Sequence, residues 1–304
     1  MLKYYTRACN FYYGKYAYSL IKKKRALPLC GNKYIAFDNL EIFTRKKKKI
    51  SSRVIHLKKI SKLKNKEKNK IRNDLKKITS KRKNFLYKIN FSYPSIMGIL
   101  NMTPDSFSDG GNFNTKTRSM KHIAKMIHHG AKIIDVGGES TRPGSETIPA
   151  EKEWKRVEHV LKIFKKKYKK ICLSVDTRKS DIMVKSINCG ADLINDVSGF
   201  KHDPFALVKL RDLNIPKVLH HMQGNPKTMQ RSPKYKNVLL DIYDFFEKEI
   251  SNITDNKKII IDPGIGFGKT LKHNLTLISK ISLFHSLGFP ILVGTSRKRF
   301  INQI

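Results

Sequence analysis

The stretch from residue 99 to residue 111, ILNMTPDSFSDGG, changes character after its first residues. It starts apolar, as a buried strand does, and then becomes a loop dense in Asn, Asp, Ser, Thr and Gly. An ordinary turn with no functional role needs only about two or three such residues. In α/β enzymes the polar side chains of a site gather where strands end, so the stretch predicts a functional loop after a buried strand.

The same pattern recurs along the rest of the chain. Short apolar runs, each followed by a polar or glycine-rich segment, start near Ile133, Ile171, Leu193, Lys217, Ile259 and Ile291. The runs do not alternate apolar with polar residues, which is typical of strands buried on both faces of a parallel sheet. Apolar residues at helical spacing lie between them, from Met120 to Ile127 and from Trp154 to Tyr168, and Gly130 predicts the end of the first helix.

Strand and helix alternate over about 200 residues, which predicts an α/β fold, either a (β/α) barrel or an open doubly wound sheet. Polar residues at so many strand ends favour a TIM-type (β/α)8 barrel. With the run that starts near Ile96, seven strands are present, one fewer than such a barrel contains. The chain stops at Ile304, inside the expected seventh helix, so we predict a barrel over residues 93–304 that is incomplete at its C-terminus.

Taken in order, the strand-end motifs of residues 94–304, among them DVGGESTRPG at 135–144 and IDPGIGFGK at 261–269, resemble those of the dihydropteroate synthases of the pterin-binding enzyme family. The resemblance implies a transferase of folate biosynthesis with Mg²⁺ as cofactor. In its reaction, p-aminobenzoate displaces pyrophosphate from 6-hydroxymethyl-7,8-dihydropterin pyrophosphate and gives 7,8-dihydropteroate. The resemblance also implies a sulfonamide target and a homodimer in the complete protein.

The residue types suit a pterin, whose flat edge presents an amine donor, an N–H donor and a carbonyl acceptor. A carboxylate accepts two parallel N–H bonds from such an edge, and an amide can pair with the remaining groups. Asp176, Asn195 and Asp262 each follow a predicted strand and supply those groups. By resemblance they are the pterin ligands, joined by Lys298, which reaches the carbonyl or a ring nitrogen. Asp176 alone could equally cap the helix that follows it.

The leaving pyrophosphate requires countercharge. Mg²⁺ takes oxygen ligands and keeps several waters, so one protein amide plus phosphate oxygens suffices, and the resemblance assigns Asn101 that role. Arg142 and the backbone at 137–138 can bind phosphate as well. Stabilising the charge on the leaving group is the main catalytic task, whereas the neutral amine needs positioning rather than a general base.

Two loops are expected to complete the site. One spans 103–111 and contains Asp105, and the other spans 140–143 and contains Thr141 and Pro143. The resemblance implies that both close over the pyrophosphate and form the p-aminobenzoate pocket with Phe267 and Ser296. Pro143 and Phe267 would be its apolar walls, and the less favoured alternative is that they are an ordinary turn residue and an ordinary packing residue. The catalytic residues predicted in this way are Asn101, Asp105, Arg142 and Lys298.

Other functions remain as alternatives. A methyltransferase barrel that binds methyltetrahydrofolate would share the Asp and Asn ligands, but it should lack the 101–111 loop and the SRK sequence at 296–298. An inactive or fragmentary synthase copy is another, because the family's eighth strand carries an Arg-x-His motif that binds pyrophosphate and no such motif follows residue 298 here. A third is a non-catalytic, basic nucleic-acid-binding protein.

The charge is uneven. The net charge is +39, of which residues 1–90 carry +24 and residues 91–304 carry +15. We interpret 1–44 as a leader that weakly resembles the segment before the barrel in some bacterial members of the family, and 45–92 as a poorly ordered Lys-rich linker. AT-rich codon usage explains this composition better than nucleic-acid binding, because no recognisable nucleic-acid module accompanies it.

The remaining features of the sequence indicate the cellular compartment. The four cysteines form no C-x-x-C pair, which predicts a reducing cytoplasm. A basic start without acidic residues before Asp38 would suit a transit peptide, but the segment is poor in Ser and rich in Tyr. No apolar run approaches the roughly 20 residues of a membrane span, so we expect no membrane association.

Overall fold

The computed structural model describes residues 2–86, 89–103, 115–142, 144–253, 257–296, 298 and 301. These residues form an N-terminal antiparallel sheet and a larger parallel sheet that is surrounded by helices. The two sheets are joined through the segment that precedes residue 96.

The N-terminal sheet is built around one long central strand. Its elements are β1 (Leu2–Tyr13), α1 (Gly14–Lys22), β2 (Leu27–Leu29), β3 (Asn32–Lys46) and β4 (Lys49–His56), followed by a 3-10 turn (Leu57–Lys62) and α2 (Asn65–Thr79). Strand β3 pairs with β1 along one edge, and with β2 and then β4 along the other. Because β3 crosses residues 44 and 45, the expected boundary between leader and linker falls within a strand.

The Lys-rich segment differs from the expected poorly ordered linker. It contains β4 and α2, and Ile71 and Ile78 of α2 are fully buried. These two side chains, with Leu75 between them, pack against Phe37 and Leu40 of the sheet. The three apolar residues recur at the spacing of one helix face, a short pattern that the many surrounding lysines obscure in the sequence.

The parallel sheet contains six strands in chain order, each hydrogen-bonded to the next. They are β5 (Ile96–Asn101), β6 (Ala131–Gly137), β7 (Cys172–Asp176), β8 (Leu193–Asp196), β9 (Lys217–His220) and β10 (Ile259–Asp262). The helices between and after them are α3 (Thr115–His128), α4 (Ala150–Lys167), α5 (Ser180–Asn188), α6 (Ala206–Arg211), α7 (Val238–Asn252) and α8 (Leu271–Ser279), and a 3-10 turn covers Ile281–Leu287. A parallel bridge joins Ile291 to Ile261, where the seventh strand was predicted. This is the arrangement of a TIM-type α/β barrel.

Alternate residues of the parallel strands face the barrel interior, and their character changes along the strands. Near the amino ends this layer is apolar and buried, and it is made by Ile133, Cys172, Leu193, Val218 and Ile260. Leu86 and Ile89, which precede β5, pack into the same cluster and fill the interior from that end. Two residues further along each strand the inward positions become polar, so the polar interior lies at the carboxyl ends.

The N-terminal sheet packs against the outside of the barrel. Tyr5 of β1 and Phe43 of β3 belong to the main hydrophobic core of the barrel helices. Ion pairs surround this contact: Arg45 pairs with Asp241 and Asp244 of α7. Lys280 donates to Glu41 at 2.7 Å, and Arg7 donates to the same carboxylate at 2.7 Å.

None of the helices in the described ranges is long and apolar enough to cross a membrane.

Candidate active site

The three predicted pterin ligands lie at one edge of the parallel sheet. Asp176 ends β7 and is the register partner of Asn195 on β8, whereas Asp262 ends β10 opposite His220 on β9. Gly137 of β6 lies opposite Asp176, and a Cβ there would approach the Asp176 Cβ to 3.4 Å. The glycine therefore leaves space beside the carboxylate at the mouth of the barrel.

A fourth polar residue, Asp135 of β6, lies among them and was not predicted. Asn195 Nδ2 donates to Asp135 Oδ2 at 3.0 Å, and both side chains are buried. Within the described residues, Asn195 Oδ1 and Asp176 Oδ1 are buried and have no hydrogen-bond partner. Buried acceptors without donors are rare and costly in folded proteins, so this arrangement calls for a ligand that brings N–H groups. The signal in the sequence was a carboxylate inside an otherwise apolar run, IIDV at 133–136.

The carboxyl groups are hard to ionise here. Burial raises the pKa of Asp135, and the neighbouring Ser174 hydroxyl and Asn195 amide oppose this shift. Burial, and then the neighbouring Asp135 charge, raises the pKa of Asp176 well above its ordinary value. Burial also raises the pKa of Asp262 to about 6, although Gly264 N donates to Asp262 Oδ1 at 2.7 Å. Donors from a ligand would stabilise the ionised forms of these groups.

A glycine-rich loop follows Asp262 and shapes one wall. Gly264 has a φ of 67°, and a Cβ at this position would lie 2.0 Å from the carbonyl oxygen of His221, so only glycine fits. The loop carries Phe267, whose ring packs edge to face against the ring of His220, with 4.7 Å between the ring centroids. Lys298 Nζ lies 4.1 Å from the centroid of the same ring. Burial lowers the pKa of Lys298, and the attraction of Asp262 opposes this shift.

Lys269 is a second residue that was not predicted. It is 3% exposed, and its Nζ donates to the carbonyl oxygens of Phe267 at 2.8 Å and His221 at 3.3 Å. Burial lowers its pKa to about 7, and the Asp262 charge opposes this shift. Lys269 therefore ties the loop after β9 to the loop after β10.

The residues predicted to bind the pyrophosphate or to form the p-aminobenzoate pocket lie further out. Asn101 ends β5 in register with Gly137, and its side chain is exposed. Arg142 and Ser296 are exposed and Thr141 is half-buried, and the described contacts join none of these three side chains to the pterin ligands. Asp105 and Pro143 lie outside the described residues.

A buried ionic cluster anchors the segment that carries Thr141 and Arg142. Glu139 accepts from Arg178 Nη2 at 2.6 Å, from Lys179 Nζ at 2.9 Å and from the backbone N–H of Ile148 at 3.0 Å. Despite burial, these donors lower the pKa of Glu139. The cluster fixes both ends of the 139–148 loop against the start of α5.

In the part of the chain that the structure describes, no group of three or more His, Cys, Asp and Glu side chains is arranged to hold a metal ion. Two neighbouring histidines, His128 and His129, are exposed at the end of α3. His220 Nδ1 donates to the Val197 carbonyl at 2.9 Å, and burial lowers the pKa of this imidazole to about 3. Such a neutral, buried ring is part of the wall of the site.

Comparison with known proteins agrees with this geometry. Residues 97–304 match the family model described as "Pterin binding enzyme". The dihydropteroate synthase of Escherichia coli is 43% identical over 220 residues, which are 71% of this chain and 77% of that relative. That of Clostridium beijerinckii is 45% identical over 210 residues, covering 68% and 75%.

The solved structures that are similar to this chain include dihydropteroate synthases. The dihydropteroate synthase of Yersinia pestis with a sulfonamide drug complex has a TM-score of 0.66 and 42% identity, over 71% of this chain and 79% of that one. The dihydropteroate synthase of Xanthomonas albilineans with 4-aminobenzoic acid has a TM-score of 0.66 and 38% identity, over 71% and 77%. The family model covers well over half of the chain, so the chain belongs to the pterin-binding enzyme family.

Proposed function

We propose that the chain catalyses the dihydropteroate synthase reaction of folate biosynthesis. The amine of p-aminobenzoate attacks the methylene carbon of 6-hydroxymethyl-7,8-dihydropterin pyrophosphate. A C–N bond forms, the C–O bond to pyrophosphate breaks with its electron pair, and the amine loses a proton. The observation that carries the proposal is the pair of buried, unpartnered acceptors, Asp176 Oδ1 and Asn195 Oδ1, at the barrel mouth that also holds Asp262.

Pterin recognition follows from the charges at this mouth. The amine and ring N–H groups of a dihydropterin are donors, and Asp176, Asn195 and Asp262 offer acceptors in an interior that excludes water. Lys298 supplies the complementary donor for the pterin carbonyl or a ring nitrogen. Lys298 is held for this task by Phe267, the half-buried side chain over whose ring its ammonium lies.

The pyrophosphate would lie at the exposed rim, where Asn101 ends β5. One amide oxygen at an open rim fits Mg²⁺, which is held mainly by phosphate oxygens and water. When bound, the ion would neutralise charge on the departing pyrophosphate. Arg142, on the loop anchored by Glu139, would contribute a fixed positive charge to the same group.

The p-aminobenzoate pocket would be formed by Thr141, Pro143, Phe267 and Ser296, with the 103–111 loop and its Asp105 closing over it. The Xanthomonas albilineans enzyme was solved with 4-aminobenzoic acid, which supports p-aminobenzoate as the second substrate. The nucleophile is a neutral amine, so the task of these residues is to position it and exclude water. We further propose a homodimer that works in the cytoplasm.

The test is pyrophosphate release by the chain, with Mg²⁺, dihydropterin pyrophosphate and p-aminobenzoate. We expect release that depends on p-aminobenzoate and falls at least about a hundredfold in Asp262→Ala, which removes a central acceptor. Glu158→Gln, an exposed change on α4, is the matched control and should keep full activity. No p-aminobenzoate-dependent release from folded protein would overturn the proposal and favour an inactive copy.

A further inference from the structure

We propose that Asp135 is a positioning residue for pterin binding, which it controls by fixing the orientation of the Asn195 amide. The inference rests on the proposed function and adds a residue to it. It starts from an observation that the reaction does not explain, namely a carboxyl group buried to 4% exposure within the barrel interior.

A buried carboxyl group in this position is costly. One layer below, the neighbouring strands contribute Ile133, Cys172 and Leu193, which are apolar and buried. Burying an isolated polar or charged group costs several kcal/mol unless it is hydrogen-bonded. An apolar residue would pack here at no such cost, so the contacts of Asp135 must serve another purpose.

The contact with Asn195 has a directional consequence. A side-chain amide has a donor end and an acceptor end, and only its nitrogen can donate to a carboxylate. The 3.0 Å bond from Asn195 Nδ2 to Asp135 Oδ2 therefore decides which end is free. The free end is Oδ1, which is buried without a partner among the described residues.

The free oxygen is what a pterin N–H group requires. Asn195 lies in register with Asp176, whose Oδ1 is also buried and unpartnered. Two adjacent strands therefore each offer an acceptor oxygen to the N–H groups of one ligand. If the amide rotated by half a turn, its N–H₂ group would face the N–H groups of the ligand. Asp135 prevents this rotation, and the free site is already arranged for its ligand.

The experiment measures the affinity of 6-hydroxymethylpterin by calorimetry. Asp135→Ala and Asp135→Leu both remove the acceptor, and the second keeps most of the volume, so that at least one of them is expected to fold. We expect each to bind the pterin about tenfold more weakly. Asp135→Asn should bind within about threefold of the unmodified chain, because its amide oxygen can still accept from Asn195. The KM for p-aminobenzoate should not change.

A double-mutant cycle separates positioning from loss of structure. In an Asn195→Ala background, Asp135→Leu should have no further effect on pterin affinity, because the group it orients is absent. Cys172→Ala, a cavity one layer below, is the matched control and should lower stability without changing affinity. A full additive effect in the Asn195→Ala background, or an Asp135→Asn variant as weak as Asp135→Leu, would overturn the inference alone. No pterin binding by the unmodified chain would overturn the proposed function together with it.

Discussion

Lys298 Nζ lies 4.1 Å from the centre of the Phe267 ring, at a site whose acidic group, Asp262, attracts the same ammonium. The contact holds a flexible cation over an aromatic face, where it is partly shielded from water. Gly266 makes room for it, because a Cβ there would approach Lys298 Cδ to 3.0 Å. The long side chain is therefore held in place by an aromatic ring and a glycine before any ligand binds.

The two partners of this contact should affect different substrates. Lys298→Met removes a donor for the pterin, so we expect the KM for dihydropterin pyrophosphate to rise about tenfold or more. Phe267→Leu removes a flat wall but no charge, so the KM for p-aminobenzoate should rise while the pterin KM changes by less than about threefold. Steady-state kinetics with each substrate varied in turn measures both. Equal changes in both KM values for both variants would contradict the assignment.

The rim residue Asn101 should control the magnesium requirement. Asn101→Ala removes the proposed amide ligand, so half-maximal activity should need about tenfold more Mg²⁺. The affinity for 6-hydroxymethylpterin, which has no pyrophosphate, should stay unchanged. A magnesium titration of activity and a calorimetric titration with the pterin test the two statements. Loss of pterin affinity in this variant would place Asn101 in the ring-binding part of the site instead.

The raised pKa of Asp262 predicts how stability depends on pH. Its pKa is about 6 in the folded chain and near 3.8 otherwise, so the folded state retains a proton between these values. Stability contributed by this group is therefore lost as pH rises through that window. Asp262→Asn removes the cost of ionising this buried carboxyl. The variant should therefore be more stable than the unmodified chain, and its gain in free energy of unfolding should be about 1 kcal/mol larger at pH 8 than at pH 5.

Urea unfolding at the two pH values measures this difference. Asp203→Asn is the matched control, because N–H groups of Ser180 and Phe205 lower the pKa of Asp203. That carboxyl is therefore ionised in both the folded and the unfolded chain at pH 5 and at pH 8, and the effect of this variant on stability should be the same at the two pH values. If the stability gain of Asp262→Asn became smaller towards pH 8, burial would not be destabilising the ionised carboxylate.

The Glu139 cluster should be more important for stability than exposed ion pairs. Glu139→Gln leaves the buried guanidinium of Arg178 without its countercharge, so we expect unfolding to become about 3 kcal/mol easier. Glu158→Gln breaks the exposed pair with Lys162 and should change stability by less than about 0.5 kcal/mol. Urea unfolding of both variants tests the contrast, and similar values for the two would contradict it.

Helix α2 gives a direct test of order in the Lys-rich segment. Ile71→Ala and Ile78→Ala should each lower the free energy of unfolding by about 2–4 kcal/mol, because both side chains are fully buried. Lys66→Ala, on the exposed face of the same helix, should change it very little. Amide exchange of residues 65–79 should show protection in the unmodified chain. Unprotected amides there would support the disordered linker that the composition suggested.

Local signals were sufficient for the barrel and for part of the site. Each strand is a short apolar run that ends in polar or glycine residues, so the starts of β5 to β10 could be located to within about two residues. Asp176, Asn195 and Asp262 could be placed together at the strand ends because each follows such a run directly. Their roles in binding, like those of Asp105 and Pro143, stay predictions.

The other features depend on contacts between distant parts of the chain. Asp135 and Lys269 act through partners 60 and 48 residues away, and nothing nearby in the sequence indicates those partners. The N-terminal sheet pairs Leu2 with Lys46, a register that no local pattern specifies. In α2, three apolar side chains determine the fold of a segment whose composition is mostly Lys and Asn.

The contact between the N-terminal sheet and the barrel sets an order of events during synthesis. Glu41 accepts from Lys280, 239 residues further along the chain. At about 5–20 residues per second, a ribosome adds that lysine roughly 12 to 48 seconds after the glutamate. For most of this interval the face of the sheet that carries Tyr5 and Phe43 lacks its partners on the barrel, because Tyr243 of α7, which packs edge-on against Tyr5, is itself added late. The N-terminal sheet is thus synthesised well before the barrel residues that cover its apolar face.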